Sequence, residues 1–87
     1  PPGYDPAEID ALLREVDGVV EVHDLHLWSL DGTSALASVH LVVPEDRDPA
    51  AVLCVAQEAL QERGIAHSTI QVERPSHAEH EGPHNVC

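Results

Sequence analysis

Eighty-seven residues make one small domain, and with no Phe and no Met its core must be packed from Ala, Val, Leu and Ile, so that core is thin. Four Arg and no Lys against 16 acidic residues leave a formal charge of −12, which argues against nucleic acid and anionic membrane as partners and makes cations the natural ones. No run reaches the roughly 20 apolar residues that span a bilayer, and the chain opens on Pro1 without a methionine, as a soluble piece of a longer protein would.

Residues 1–4 read as a linker. Asp5-Pro6-Ala7-Glu8 is a helix start, with aspartate as N-cap, proline at the first helical position and glutamate at the third. Ile9, Leu12, Leu13 and Val16 then form one apolar stripe, and Gly18 is placed for a left-handed C-cap. Val19 to Leu30 and Ser34 to Val43 read as two strands joined by the tight turn Asp31-Gly32, with Pro44 closing the second. Asp48-Pro49 repeats the helix start before Val52, Val55, Ala56, Ala59 and Leu60, and Gly64 ends this second helix, in which Cys54 is expected in the core. His67 to Glu73 alternates as a half-buried strand, with Ile70 and Val72 on one face and His67, Thr69, Gln71 and Glu73 on the other, and Pro75 stops it. The tail 76–87 is polar, carries His77, His80, His84 and Cys87, and has nothing to build a core from. Cys54 and Cys87 give no disulfide framework and fit a reducing compartment.

The order α, β, β, α, β predicts an α+β open sandwich, a three-stranded mixed sheet with two helices on one face and the other face open. The domain itself runs over 5–75. A two-residue loop pairs Leu30 with Thr33 and therefore His23 with His40, whose Cβ atoms would lie roughly 4.5 to 5.5 Å apart. Two imidazoles at that spacing reach one zinc ion, which sits about 2.0 to 2.1 Å from each ligating nitrogen. Glu73 comes to the same end of the sheet, while His67 lies about 20 Å away at 3.3 Å per residue. A lone strand histidine is more often structural; the pair with a carboxylate is what points to a metal. By strict alternation His26 and Trp28 occupy the opposite face from His23, and Asp24 shares theirs unless a bulge re-aims it. The tail histidines with Cys87 form a second candidate set of ligands. There is no Gly-rich phosphate loop, no nucleophile beside a base and no HExxH, so binding is expected and catalysis is not.

VHDLHLWSL followed by DG, then ALASVHLVV and STIQVE, resembles the cytoplasmic C-terminal domain of the cation diffusion facilitators, transporters of zinc and other divalent metals; the likeness covers Gly18 to Glu73. It implies a metallochaperone-like, ferredoxin-like αββαβ fold attached after six transmembrane helices, so that the chain would be a cytoplasmic part of an integral membrane protein. It also implies a homodimer, and regulation of transport by bound metal. The positions of His23, His40 and Glu73, and in some members His67, hold metal in that family. Other members have histidine where this chain has Gln71, and some use a tail cysteine pair where this chain has Cys87 alone. Members bind zinc, iron, manganese, cobalt or nickel, and the residue types here favour zinc. The function expected is that of a metal-sensing regulatory and dimerisation domain of an exporter of zinc or a similar divalent cation. The alternative is a free-standing metallochaperone or metal buffer of the same fold.

Overall fold

Two Asp-Pro pairs start the two helices. In the computed structural model, which describes residues 4–29, 31–32 and 34–75, Asp5 caps α1 (Pro6–Arg14) and Asp48 caps α2 (Pro49–Glu62). Each aspartate is extended, and its carboxylate accepts the backbone N–H two residues on, from Ala7 at 2.9 Å and from Ala50 at 3.0 Å. Each thereby satisfies one donor that a helix start leaves unpaired. The first helix ends earlier than expected, at Arg14 with Glu15 as a right-handed C-cap. Left-handed Gly18 (φ 98°) lies beyond it, in a turn closed by the Val19 N–H donating to the Val16 carbonyl at 3.0 Å.

The strands are β1 (Glu21–Ser29), β2 (Ala35–Val42) and β3 (Ile65–Glu73), in the order β1-β2-β3. The first pair is antiparallel and the second parallel, the expected mixed sheet. On the central strand Ala35, Ala37, Val39 and Leu41 alternate toward the helices and are buried. They pack with Ile9 and Leu13 of α1 and Val52, Ala56 and Leu60 of α2 into one core. Alanines at three of these positions let helix and sheet approach closely, which is how a chain without Phe or Met closes its core. Two apolar expectations on α2 fail: Val55 is 50% exposed and Cys54 is exposed, its Sγ 3.8 Å from Glu58 Oε1. The helix buries a narrower stripe than its composition offers, because only residues at the spacing of Val52, Ala56 and Leu60 meet the sheet.

The hairpin differs from expectation in a way that bears on the site. Its strands stop at Ser29 and Ala35, which pair, so the turn is longer than two residues and the ladder near it is one residue out of the expected register. Ser29 Oγ accepts the Gly32 N–H at 2.7 Å, and Asp31 Oδ1 accepts the Ser34 N–H at 2.8 Å. Leu30 and Thr33, the expected turn pair, lie outside the described residues. A β-bulge between His23 and His26 then sets Asp24 and Leu25 against Val39 alone and restores the register, so that His23 does pair with His40. The bulge also changes the phase of the strand. His26 pairs with Ser38 and Trp28 with Leu36, so both stand on the open face with His23 and not opposite it. Leu25 and Leu27 pack against the core instead.

Candidate metal centre

The open face carries its histidine pair at the end of the sheet where β3 finishes. His23 and His40 are cross-strand partners, His40 adjoins Gln71 of β3, and Glu73 adjoins Val42. Glu73 Oε1 is 2.7 Å from His23 Nε2, and Oε2 is 2.7 Å from His40 Nδ1. Gln71 Nε2 donates to Oε2 at 3.0 Å. The two imidazole rings meet edge to face, their centroids 5.2 Å apart. One donor atom from each of His23, His40 and Glu73 lies within 4.8 Å of the other two, and no further His, Cys, Asp or Glu among the described residues completes the same set.

The chemistry of the three donors fits a divalent cation. The Glu73 side chain is 0% exposed, and a buried carboxylate needs a compensating charge. Its nearest partners are two imidazoles and an amide. The adjacent Arg74 is turned away, its Nη1 donating to the backbone carbonyls of Val43, Pro44 and Arg47. His40 Nδ1 is buried beside Oε2 yet not aligned to share a hydrogen with it, and it has no hydrogen-bond partner. An imidazole nitrogen without a partner next to a buried carboxylate suits a metal ion better than it suits a hydrogen bond.

Of the remaining candidates, His67 pairs with Leu36 at the far end of the sheet and does not join the cluster. Gln71, which offers no imidazole, donates its amide N–H to Glu73 instead. His77, His80, His84 and Cys87 lie outside the described residues. Sequence reasoning set one residue aside that the structure brings in: Asp24 Oδ2 stands 3.5 Å from His23 Nδ1 and 3.7 Å from His40 Nδ1. The signal for it was the spacing of core-facing residues, since Val22 is followed three residues later by Leu25 and two later by Leu27. That slip marks the bulge.

An αββαβ domain with a three-donor cluster on its open sheet face has the make-up of a metal-handling module. Residues 1–75 match the family described as "cation efflux protein, cytoplasmic domain", and the chain belongs to that family. It is 42% identical over 76 residues, 86% of its length, to a probable zinc transporter of Dictyostelium discoideum. It is 40% identical over 77 residues, 87% of its length, to the proton-coupled zinc antiporter SLC30A2 of Mus musculus. The chain spans 14% and 21% of the lengths of those two relatives. Among solved structures it is similar to the metal-bound C-terminal domain of the CzcD transporter from Cuprividus metallidurans, with 32% identity and a TM-score of 0.73 over 80% of this chain and 99% of that one. The αββαβ fold is thus that of a cation efflux cytoplasmic domain. The relatives are transporters, not enzymes.

Proposed function

We propose that this domain senses zinc for a divalent-cation exporter, binding it through His23 Nε2, His40 Nδ1 and the Glu73 carboxylate, and that binding draws two copies of the chain together. The observation that carries the reading is the buried Glu73 carboxylate held between two imidazoles, one of which has an unpartnered buried nitrogen. Zinc is favoured over other divalent metals by the mixed nitrogen and oxygen donors, and by the names of the two relatives given above, a probable zinc transporter and a zinc antiporter. A bound cation supplies the positive charge that Glu73 lacks. The protein's own part is to hold the two imidazoles on adjacent strands at a fixed spacing and to keep the carboxylate dry.

In this reading 5–75 is the sensing unit, 1–4 joins it to a membrane part, and the tail 76–87 is a second, weaker set of donors. His67 stands outside the centre. Charge sets the direction of the switch. Two copies at −12 each repel, and cations bound near the open faces reduce that repulsion. A metal shifts the balance between apart and together only by its difference in affinity for the two states, so a site near the interface has the leverage that a remote one lacks. Calorimetric titration of zinc into the domain and into His40→Ala tests the reading. The parent is expected to bind and the variant to lose most of its affinity; equal binding by the two would remove the site.

A further inference from the structure

Both ring nitrogens of His23 face a carboxylate. Nε2 is 2.7 Å from Glu73 Oε1, while Nδ1 is 3.5 Å from Asp24 Oδ2, the same oxygen that stands 3.7 Å from His40 Nδ1. Asp24 reaches this position through the bulge alone, since regular alternation would turn its side chain to the face opposite His23. Its φ of 55° is the only positive value at a non-glycine residue among those described. The first residue of such a bulge is most easily glycine, which adopts left-handed backbone without strain. A left-handed aspartate there keeps a carboxylate aimed at two imidazoles at a cost in backbone strain. Strain of that kind concentrates at functional sites.

The proton on His23 says what the carboxylate could do. A neutral imidazole carries one N–H. With Nε2 2.7 Å from Glu73 Oε1, the contact favours placing it on Nε2, and that tautomer cannot ligate through Nε2. Ligation beside Glu73 requires the proton on Nδ1, where Asp24 is the acceptor. We propose that Asp24 is a positioning residue of the zinc centre: it accepts the Nδ1–H of His23, selects the tautomer that presents Nε2 to the metal, and fixes the plane of the ring. The Asp24 side chain is 44% exposed and has room to close the 3.5 Å contact to hydrogen-bond length. This inference rests on the zinc reading above.

Zinc titrations of the 87-residue domain, Asp24→Gly, Asp24→Asn and His40→Ala, with melting curves of each metal-free form, test it. Asp24→Gly keeps the left-handed backbone and deletes only the carboxylate. It is expected to weaken zinc binding about 10- to 100-fold while melting at the same temperature as the parent or higher. Asp24→Asn retains an oxygen acceptor and a residue tolerant of this backbone, and is expected to recover part of the loss. Nitrogen NMR of the zinc-loaded parent should show a His23 Nδ1–H that exchanges slowly with water, and a faster exchange in Asp24→Gly. Zinc affinity in Asp24→Gly within about twofold of the parent, with binding lost in His40→Ala, overturns the role of Asp24 and leaves the centre standing. A loss of affinity that only tracks a lower melting temperature in both Asp24 variants also overturns it. A parent that binds no zinc removes the centre and this inference together.

Discussion

Glu73 is the residue whose environment is hardest to explain without a cation. A carboxylate with no exposed side-chain surface, met by two imidazoles and an amide, opposes folding when those imidazoles are neutral. Glu73→Gln is therefore expected to leave the metal-free domain as stable as the parent at pH 8, or more stable by on the order of 1 kcal/mol, as read by chemical denaturation. Zinc at a hundred times its dissociation constant should stabilise the parent by about 2.7 kcal/mol and the variant hardly at all. His67→Ala, altered at the opposite end of β3, should change zinc affinity less than about twofold by calorimetry, which would separate it from the centre. Zinc and protons compete for the same imidazole nitrogens, so affinity should fall as the pH is lowered from 8 to 5; a titration unchanged across that range would mean that carboxylates alone hold the metal. The cluster of His23, His40 and Glu73 was legible in the sequence from residue type, although the two-residue turn expected to pair the histidines is not the one that forms and the pairing survives because a longer turn and the bulge cancel. Asp24 was not, because parity assumes an unbroken ladder.

At the scale of the elements, both helix starts and the end of α2 were legible, the latter at left-handed Gly64 just past the Arg63 C-cap, and the end of α1 was not. An Asp-Pro pair satisfies a backbone donor by itself and fixes the first turn, so both starts fall where the dipeptide stands. The end of α1 depends on tertiary contact. Gly18 adjoins α2 so closely that a Cβ there would stand 2.7 Å from Val52 Cγ2, on backbone that is already left-handed. Gly18→Ala is expected to destabilise the domain by roughly 1–3 kcal/mol, against about 2–5 kcal/mol for emptying the core at Leu41→Ala, both measured by denaturant melts. The hairpin teaches the complementary lesson: a turn longer than expected and a bulge offset one another, so His23 meets His40 by a route that strict alternation does not describe. A further link joins the α1–β1 turn to the β2–α2 connection, where Arg47 Nη2 donates to Asp17 Oδ2 at 2.6 Å. That hydrogen bond, aided by the guanidinium charge, holds the Asp17 carboxyl below its usual range. A depressed carboxylate contributes stability above its unfolded value and loses it as pH falls through the folded one. Asp17→Asn should accordingly lower the melting temperature slightly at pH 7, with the difference vanishing in acid and in high salt, since the pair is exposed.

For the whole molecule, charge and apolar surface pull in opposite directions. The open face leaves Trp28 41% exposed beside half-buried Leu36, surface that a second copy of the chain would cover. Val42 is buried next to Glu73, so the exposed apolar surface of the open face lies toward the turn, with the cluster of His23, His40 and Glu73 further along the same face. With −12 on each copy, the metal-free pair should be loose, and tighter as ionic strength rises. Whether zinc at His23, His40 and Glu73 draws two copies together can be read from small-angle scattering of the domain and of His40→Ala, each with and without saturating zinc. Zinc should raise the dimer fraction and make the dimer more compact in the parent while leaving His40→Ala unchanged; parent curves that superimpose with and without zinc, or an equal response in the variant, would contradict it.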